Sequence, residues 1–357
     1  MTSDSRPLLA ITMGDPAGVG PEVIVSALAK RPARAACRPL VVGDARVLHR
    51  AAGLLCRKFP ARVVAGASEA EEHPRRVCLL DLENADPAAI PFGEVSAAAG
   101  RAAADCITRA VALAQAGEVA GIVTAPINKE ALRLAGVPHP GHTEMLAALC
   151  GVREVAMMLV HGDMRITHVT THVPLREACD LITRSRVLSV IRLTDAALQR
   201  MGLPRRRIAV AGLNPHAGES GLFGNEEAKE IAPAVAEARE EGINAAGPLP
   251  PDTVFTRHRS GGFDAVVAMT HDQGHIAVKT TAFLARPGQR LRSAGVNVTL
   301  GIPIVRTSVD HGTAFDIAGK GLADPISMVE AICMAGRMAR QQPGRPARRR
   351  SCAAAGT

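Results

Sequence analysis

Tryptophan and tyrosine are absent from this 357-residue chain, and phenylalanine occurs only seven times. So few rings leave little to stack on exposed bases, which argues against single-stranded nucleic acid as a partner. The cores must then be built from Ala, Val, Leu, Ile and Met. Paired cysteines are missing too. The eight present (Cys37, Cys56, Cys78, Cys106, Cys150, Cys179, Cys333, Cys352) stand singly, without the C-x-x-C spacing of zinc or redox sites, and read as reduced cytosolic thiols. No run reaches the roughly 18 apolar residues of a membrane span, and the opening MTSDSRPLLAITMGDP lacks the basic-then-apolar pattern of a leader. The expectation is a soluble, cytoplasmic protein with neither membrane nor nucleic acid as partner.

The net charge of +8 looks at first like a nucleic-acid signal. Five arginines, however (Arg340, Arg345, Arg348, Arg349, Arg350), lie in an acid-free end rich in Pro, Gly and Ala. Without them the body carries about +3, and residues 341–357 read as a disordered basic tail. The length suits two α/β domains with a cleft between them.

Short apolar runs alternate with amphipathic ones: LLAIT before PEVIVSALAK, PLVVG before DARVLHRAAG, AGIVTA before NKEALRLAG. That alternation predicts parallel sheets, in which ligands sit beyond the carboxyl ends of strands. The segments after the apolar runs carry the chemistry: MGDPAGVGPE, TAPINKEA, THVPL, LNPHAGESGLFGNEE, THDQGH and SVDHGTAFDIAGKG, all read as loops. None matches G-x-G-x-x-G or the phosphate-binding G-x-x-x-x-G-K-[ST], and a helical H-E-x-x-H is absent.

His172, His216 and His271 each follow a predicted strand. Three neutral imidazoles converging from separate loops, with a fourth position open, would make a catalytic metal site. Each taken singly reads more readily as a hydrogen-bonded loop histidine. Asp272 beside His271 could be a ligand, an orienting neighbour or a helix cap. His168, four residues before His172, would share its face if the segment is a strand. Thr143 and Glu144 of GHTE open a helical run, where free N–H groups attract phosphate or a cap suffices. Lys279, Asn297 and Arg306 supply the cation, amide and guanidinium that a small acid or phosphate ester needs.

Taken in order from ITMGDPAGVGPE near residue 11 to ADPISMVEA near residue 331, these segments resemble the 4-hydroxythreonine-4-phosphate dehydrogenase (PdxA) family. The resemblance implies an isocitrate/isopropylmalate dehydrogenase-like α/β fold of two α/β/α domains, residues 1–130 plus 300–340 and residues 131–299, in a homodimer with shared active sites. It implies a divalent metal (Zn, Mg, Mn or Co) on His172, His216 and His271. His142, Thr143, Lys279, Asn297 and Arg306 would bind the substrate. His311, Gly312 and Asp316 of HGTAFDIAGKG would form the cofactor loop. An acid at 316 suits two free ribose hydroxyls and repels a 2'-phosphate, which points to NAD.

The stretches HDQGHIAVK and TAPINKEAL are more similar to a branch acting on D-threonate or D-erythronate 4-phosphate than to the enzymes of vitamin B6 (pyridoxine) synthesis. TAFLARPGQRLRSAG is longer than is usual in the family and adds three arginines. The implied reaction is NAD-dependent oxidation at C3 followed by loss of the C1 carboxylate, with Lys129 and Asp272 as candidate proton carriers. A metal-dependent phosphate-ester hydrolase or a non-catalytic metabolite binder would use much the same groups.

Overall fold

A computed structural model describes residues 4–73, 76–282 and 295–341. The long segment at 280–294, with its three arginines, and the basic tail lie almost wholly outside these residues.

Twelve strands make one sheet: β1 (Leu8–Thr12), β2 (Arg38–Gly43), β3 (Ala61–Val63), β4 (Val77–Asp81), β5 (Gly121–Thr124), β6 (Ala156–His161), β7 (Met164–His168), β8 (Ile208–Ala211), β9 (Ala245–Leu249), β10 (Ala265–Ala268), β11 (Val296–Leu300) and β12 (Arg306–Val309). Their order is β3-β4-β2-β1-β5-β12-β11-β6-β7-β10-β8-β9. The six strands from β3 to β12 run parallel, as do the four from β7 to β9. Strands such as LLAIT and GIVT are buried along their whole length, as covering a parallel sheet on both faces requires.

The expectation of purely parallel sheets fails at the centre. Strand β11 is antiparallel to both β12 and β6, and β6 and β7 form a hairpin whose turn is Gly162–Asp163. A two-residue turn cannot connect parallel neighbours, so the hairpin reverses the chain direction between the two parallel groups. Their carboxyl ends consequently point in opposite senses along the sheet, and a site shared by both must lie over the face of the central strands.

Apolar side chains on one face of β11 and β12 pack beneath the helix Ile326–Arg340 in the main core. On the other face, Leu159, Met164, Ile166 and Val278 form part of a second cluster that seats the helix His271–Ala282 over β6 and β7. Each such fully buried aliphatic contributes about 1.5 to 3 kcal/mol. THDQGH is therefore the start of a helix, in place of the expected loop. Gln273 Oε1 accepts from the Met269 N–H at 2.9 Å, and its Nε2 donates to the Gly212 carbonyl at 3.2 Å, tying the first turn to the end of β8. Gly274 is required within that turn: a Cβ there would lie 2.2 Å from His168 Nε2.

Candidate active site

Alternation along the central strands builds a polar floor. Asn297 pairs with Ser308 across β11 and β12, Ser308 with Thr124 across β12 and β5, and Thr299 with Met157 across β11 and β6. Residues two apart share a face, so Arg306 joins Ser308, and Thr299 joins Asn297. Above this floor lies a cavity of about 340 Å³, within the range of small-molecule sites. Lys129, His142, Thr143, His172, His275 and Asp310 are among its walls, and His311 and Gly312 close one end.

Arg306 is the strongest electrostatic feature. Nη1 donates to Thr299 Oγ1 at 2.8 Å and Nη2 to Thr124 Oγ1 at 2.7 Å, while Nε is buried without a partner. Among the described residues no carboxylate pairs with it, and burial pulls its pKa down to about 9. His142 is held neutral, its pKa far below the ordinary value through burial first and the Arg306 charge second. His142 Nε2, Asn297 Oδ1 and His311 Nε2 are likewise buried without partners. Four such atoms around one cavity are costly at about 1 to 3 kcal/mol each, unless a ligand satisfies them.

Lys279 stands apart from the lining, exposed on the helix His271–Ala282. Its charge nonetheless reaches inward: it opposes the rise that burial gives the Asp310 pKa, and it adds to the lowering of His275 that burial begins.

Four histidines meet at the far end. His271 and His275, one helical turn apart, stack at 3.7 Å between centroids, and His172 lies 5.7 Å from His271. His271 Nδ1 bonds Asp272 Oδ1 at 2.7 Å, which leaves Nε2 free. Asp272 orients His271 from an exposed position and lines only the outer groove beside it. His168 ends β7 fully buried; its Nδ1 donates to the Met157 carbonyl at 3.3 Å, and burial takes its pKa to about 3. His172 follows the strand with φ 58°, so the two do not share a strand face.

Within one chain His216 does not join His172 and His271. Its ring is beside Phe223, 6.4 Å between centroids. Among the described residues no three His, Cys, Asp or Glu side chains converge as a metal needs. His216 begins a left-handed run that continues to Ser220, a conformation costing about 1 to 2 kcal/mol per non-glycine residue. Glu227 anchors the base of this loop, accepting from the Leu213 N–H at 2.8 Å and the Asn214 N–H at 2.7 Å.

The loop that the sequence put forward for the cofactor runs from His311 to Gly321 beyond β12. Glu22, at the start of the helix Gly20–Leu28, accepts from the Gly319 N–H at 2.7 Å and the Gly321 N–H at 3.1 Å. The Val19 N–H donates to the Thr313 carbonyl at 3.0 Å. Asp316 is exposed, with its carbonyl bonded by Lys320 Nζ at 2.7 Å.

Sequence reasoning missed Thr124, Ser308, Asp310 and His275 as cavity residues. The alternation in VNVTL and RTSVD, polar at every second place, was the available signal; it marks one apolar and one polar face.

Residues 35–335 match the PdxA family, described as "Pyridoxal phosphate biosynthetic protein PdxA". A D-threonate 4-phosphate dehydrogenase of Cupriavidus necator is 50% identical over 331 residues, covering 92% of this chain and 96% of the relative. A 4-hydroxythreonine-4-phosphate dehydrogenase of Desulforapulum autotrophicum is 45% identical over 334 residues, covering 93% and 96%. The crystal structure of a 4-hydroxythreonine-4-phosphate dehydrogenase from Burkholderia phymatum superposes with a TM-score of 0.81 at 49% identity, covering 94% of this chain and 99% of that one.

Proposed function

The chain belongs to the PdxA family and is a dehydrogenase working with a nicotinamide cofactor; we propose that it oxidises D-threonate or D-erythronate 4-phosphate at C3 with NAD and then releases the C1 carboxylate as carbon dioxide. The observation that carries this reading is the unpaired Arg306 guanidinium over a floor of unpartnered polar atoms. Such a set suits a ligand bearing both a carboxylate and a phosphate.

Arg306, His142, Thr143 and Asn297 hold the substrate, with Lys279 adding charge from the rim. His142, being neutral, contributes a hydrogen bond without a competing proton. Lys129 stands at the mouth as a cationic contact, close enough for its charge to help lower the pKa of His172.

His172 and His271 have the chemistry of ligands for a divalent cation: both imidazoles present a free nitrogen, and Asp272 fixes the tautomer of His271. The third ligand, His216, would come from a second copy of the chain in a homodimer. Zinc, magnesium, manganese or cobalt bound there would acidify the C3 hydroxyl and stabilise the electron pair left by the carboxylate.

Electrostatics favour a hydroxyl over an amine at substrate C2. Burial first and the Arg306 charge second hold down His142, burial and then Lys129 do so for His172, and burial and His271, with a smaller part from Lys279, do so for His275. A cavity that already resists protonation of its own imidazoles resists a further ammonium. The reading proposed here is sugar-acid breakdown in preference to pyridoxine synthesis.

A hydrolase reading uses the same anion pocket, and one assay separates the two. With D-threonate 4-phosphate and NAD, the dehydrogenase forms NADH, releases no inorganic phosphate and stops when chelator is added. Phosphate release without NADH would establish a hydrolase, and neither product would leave a binding protein. His271→Ala is expected to purify without metal and without turnover, whereas His275→Ala retains metal; equal loss in both would displace His271 as the ligand.

A further inference from the structure

The reaction must move a proton as well as a hydride, and the carboxylate that the sequence put forward for this, Asp272, is 81% exposed and outside the cavity lining. Among the described residues, Asp310 and Glu144 are the carboxylates in that lining. Glu144 is exposed on the first turn of the helix His142–Cys150. Asp310, directly beyond β12, continues the face of Arg306 and Ser308.

The protein makes room for this carboxylate. Gly295 stands against it: a Cβ there would come within 2.5 Å of Asp310 Oδ2 and 2.8 Å of its Cβ. The Asn297 side chain lies near enough to Asp310 to favour its charged form, while Asn297 Oδ1 stays unpartnered. The charged and titratable groups felt by Asp310 are Lys279 and His271 from the helix His271–Ala282 and His311 next to it in the chain. Burial raises its pKa first, with Lys279 foremost among the opposing influences. A carboxyl shifted upward toward working pH suits a group that must both accept and return a proton.

We propose that Asp310 is the acid–base residue of the site, passing one proton from the C3 hydroxyl to C2. The assignment rests on the dehydrogenase reading above. In the first step the C3–H bond breaks, and its electron pair leaves with the hydrogen as hydride, reducing NAD to NADH. The O–H bond breaks onto Asp310, and the C3 carbonyl forms. In the second step the C1–C2 bond breaks and carbon dioxide leaves. The electron pair released is shared between C2 and the C3 oxygen, and Asp310 returns its proton to C2. One proton is taken and one given back, so the carboxylate is regenerated without an outside acid or base.

The test is Asp310→Asn, which keeps the shape and a hydrogen-bonding group for Asn297. The expected result is a kcat lower by roughly 10² to 10⁴-fold, the usual worth of a positioned proton carrier. KM should change less than about threefold, with metal content and NAD binding as in the unmodified protein. The fall in kcat at low pH, where Asp310 becomes protonated, should disappear with the carboxyl. Retention of kcat within about threefold, or a low kcat with the acidic limb unaltered, would overturn the assignment. If the asparagine variant does not fold, the unmodified protein decides: a metal-replete kcat whose acidic limb lies no higher than that of an ordinary carboxylate excludes Asp310, whose pKa is raised by burial, as the base. Absence of NADH formation in the unmodified protein would instead sink the dehydrogenase reading itself.

Discussion

Glu22 gives both carboxylate oxygens to the loop at 311–321, whereas Arg306, on the strand leading into that loop, keeps its Nε buried without a partner. One region is held in place by bonds the chain makes to itself. The other carries buried polar groups without a partner among the described residues. The difference separates two ways of making a site: the loop is preorganised, so little ordering would be needed if it holds the cofactor as proposed, while the cavity stores unsatisfied polarity that the proposed anionic substrate would relieve.

The largest contrast should come from Arg306→Ala. Losing the buried guanidinium, with its unpartnered Nε donor, should lower kcat/KM by roughly 10² to 10³-fold. The ligand-free protein should melt no lower than before, because an unpaired buried charge is removed. Parallel kinetics and melting curves check this, and a marked fall in Tm would mean that Arg306 serves the fold.

Glu22→Gln should show the reverse pattern. It leaves one of two loop N–H groups poorly paired, so KM for the nicotinamide cofactor should rise roughly tenfold with a lower Tm, at about 1 to 2 kcal/mol. Substrate KM and metal content should hold. An unchanged cofactor KM in the folded variant would detach Glu22 from the cofactor loop.

Asp316→Ser is expected to have the smallest effect, a several-fold fall in the preference for NAD over NADP, read from steady-state rates with both cofactors. A carboxylate facing a 2'-phosphate is a repulsion the serine removes. A constant ratio in a folded variant would take Asp316 out of the site and reduce it to a turn residue.

Much of this was legible in the chain. LLAIT, PLVVG and DAVVA are continuous apolar runs, and strands buried on both faces look that way wherever they occur. RTSV was not read as a strand because Arg306 and Ser308 face the cavity while Thr307 bonds the Ala331 carbonyl on the other side, and these polar residues erase its apolar signature. HDQGHIAVK resembled a loop for a similar reason: its glycine and polar residues serve His168 and the cavity, and the helix is fastened by Gln273 instead of by apolar periodicity. The left-handed turn at His216 and the closeness of Gly295 to Asp310 depend on residues distant in sequence or on local strain. Neither has a local pattern to read.

A cationic cavity should accept a hydroxyl at C2 more readily than an ammonium, and kcat/KM measured on D-threonate, D-erythronate and 4-hydroxythreonine 4-phosphates with NAD tests this most directly. The prediction is at least tenfold faster turnover of one or both hydroxy acids, about 1.4 kcal/mol or more in transition-state binding. Equal turnover, or a preference for the amino acid, would contradict it.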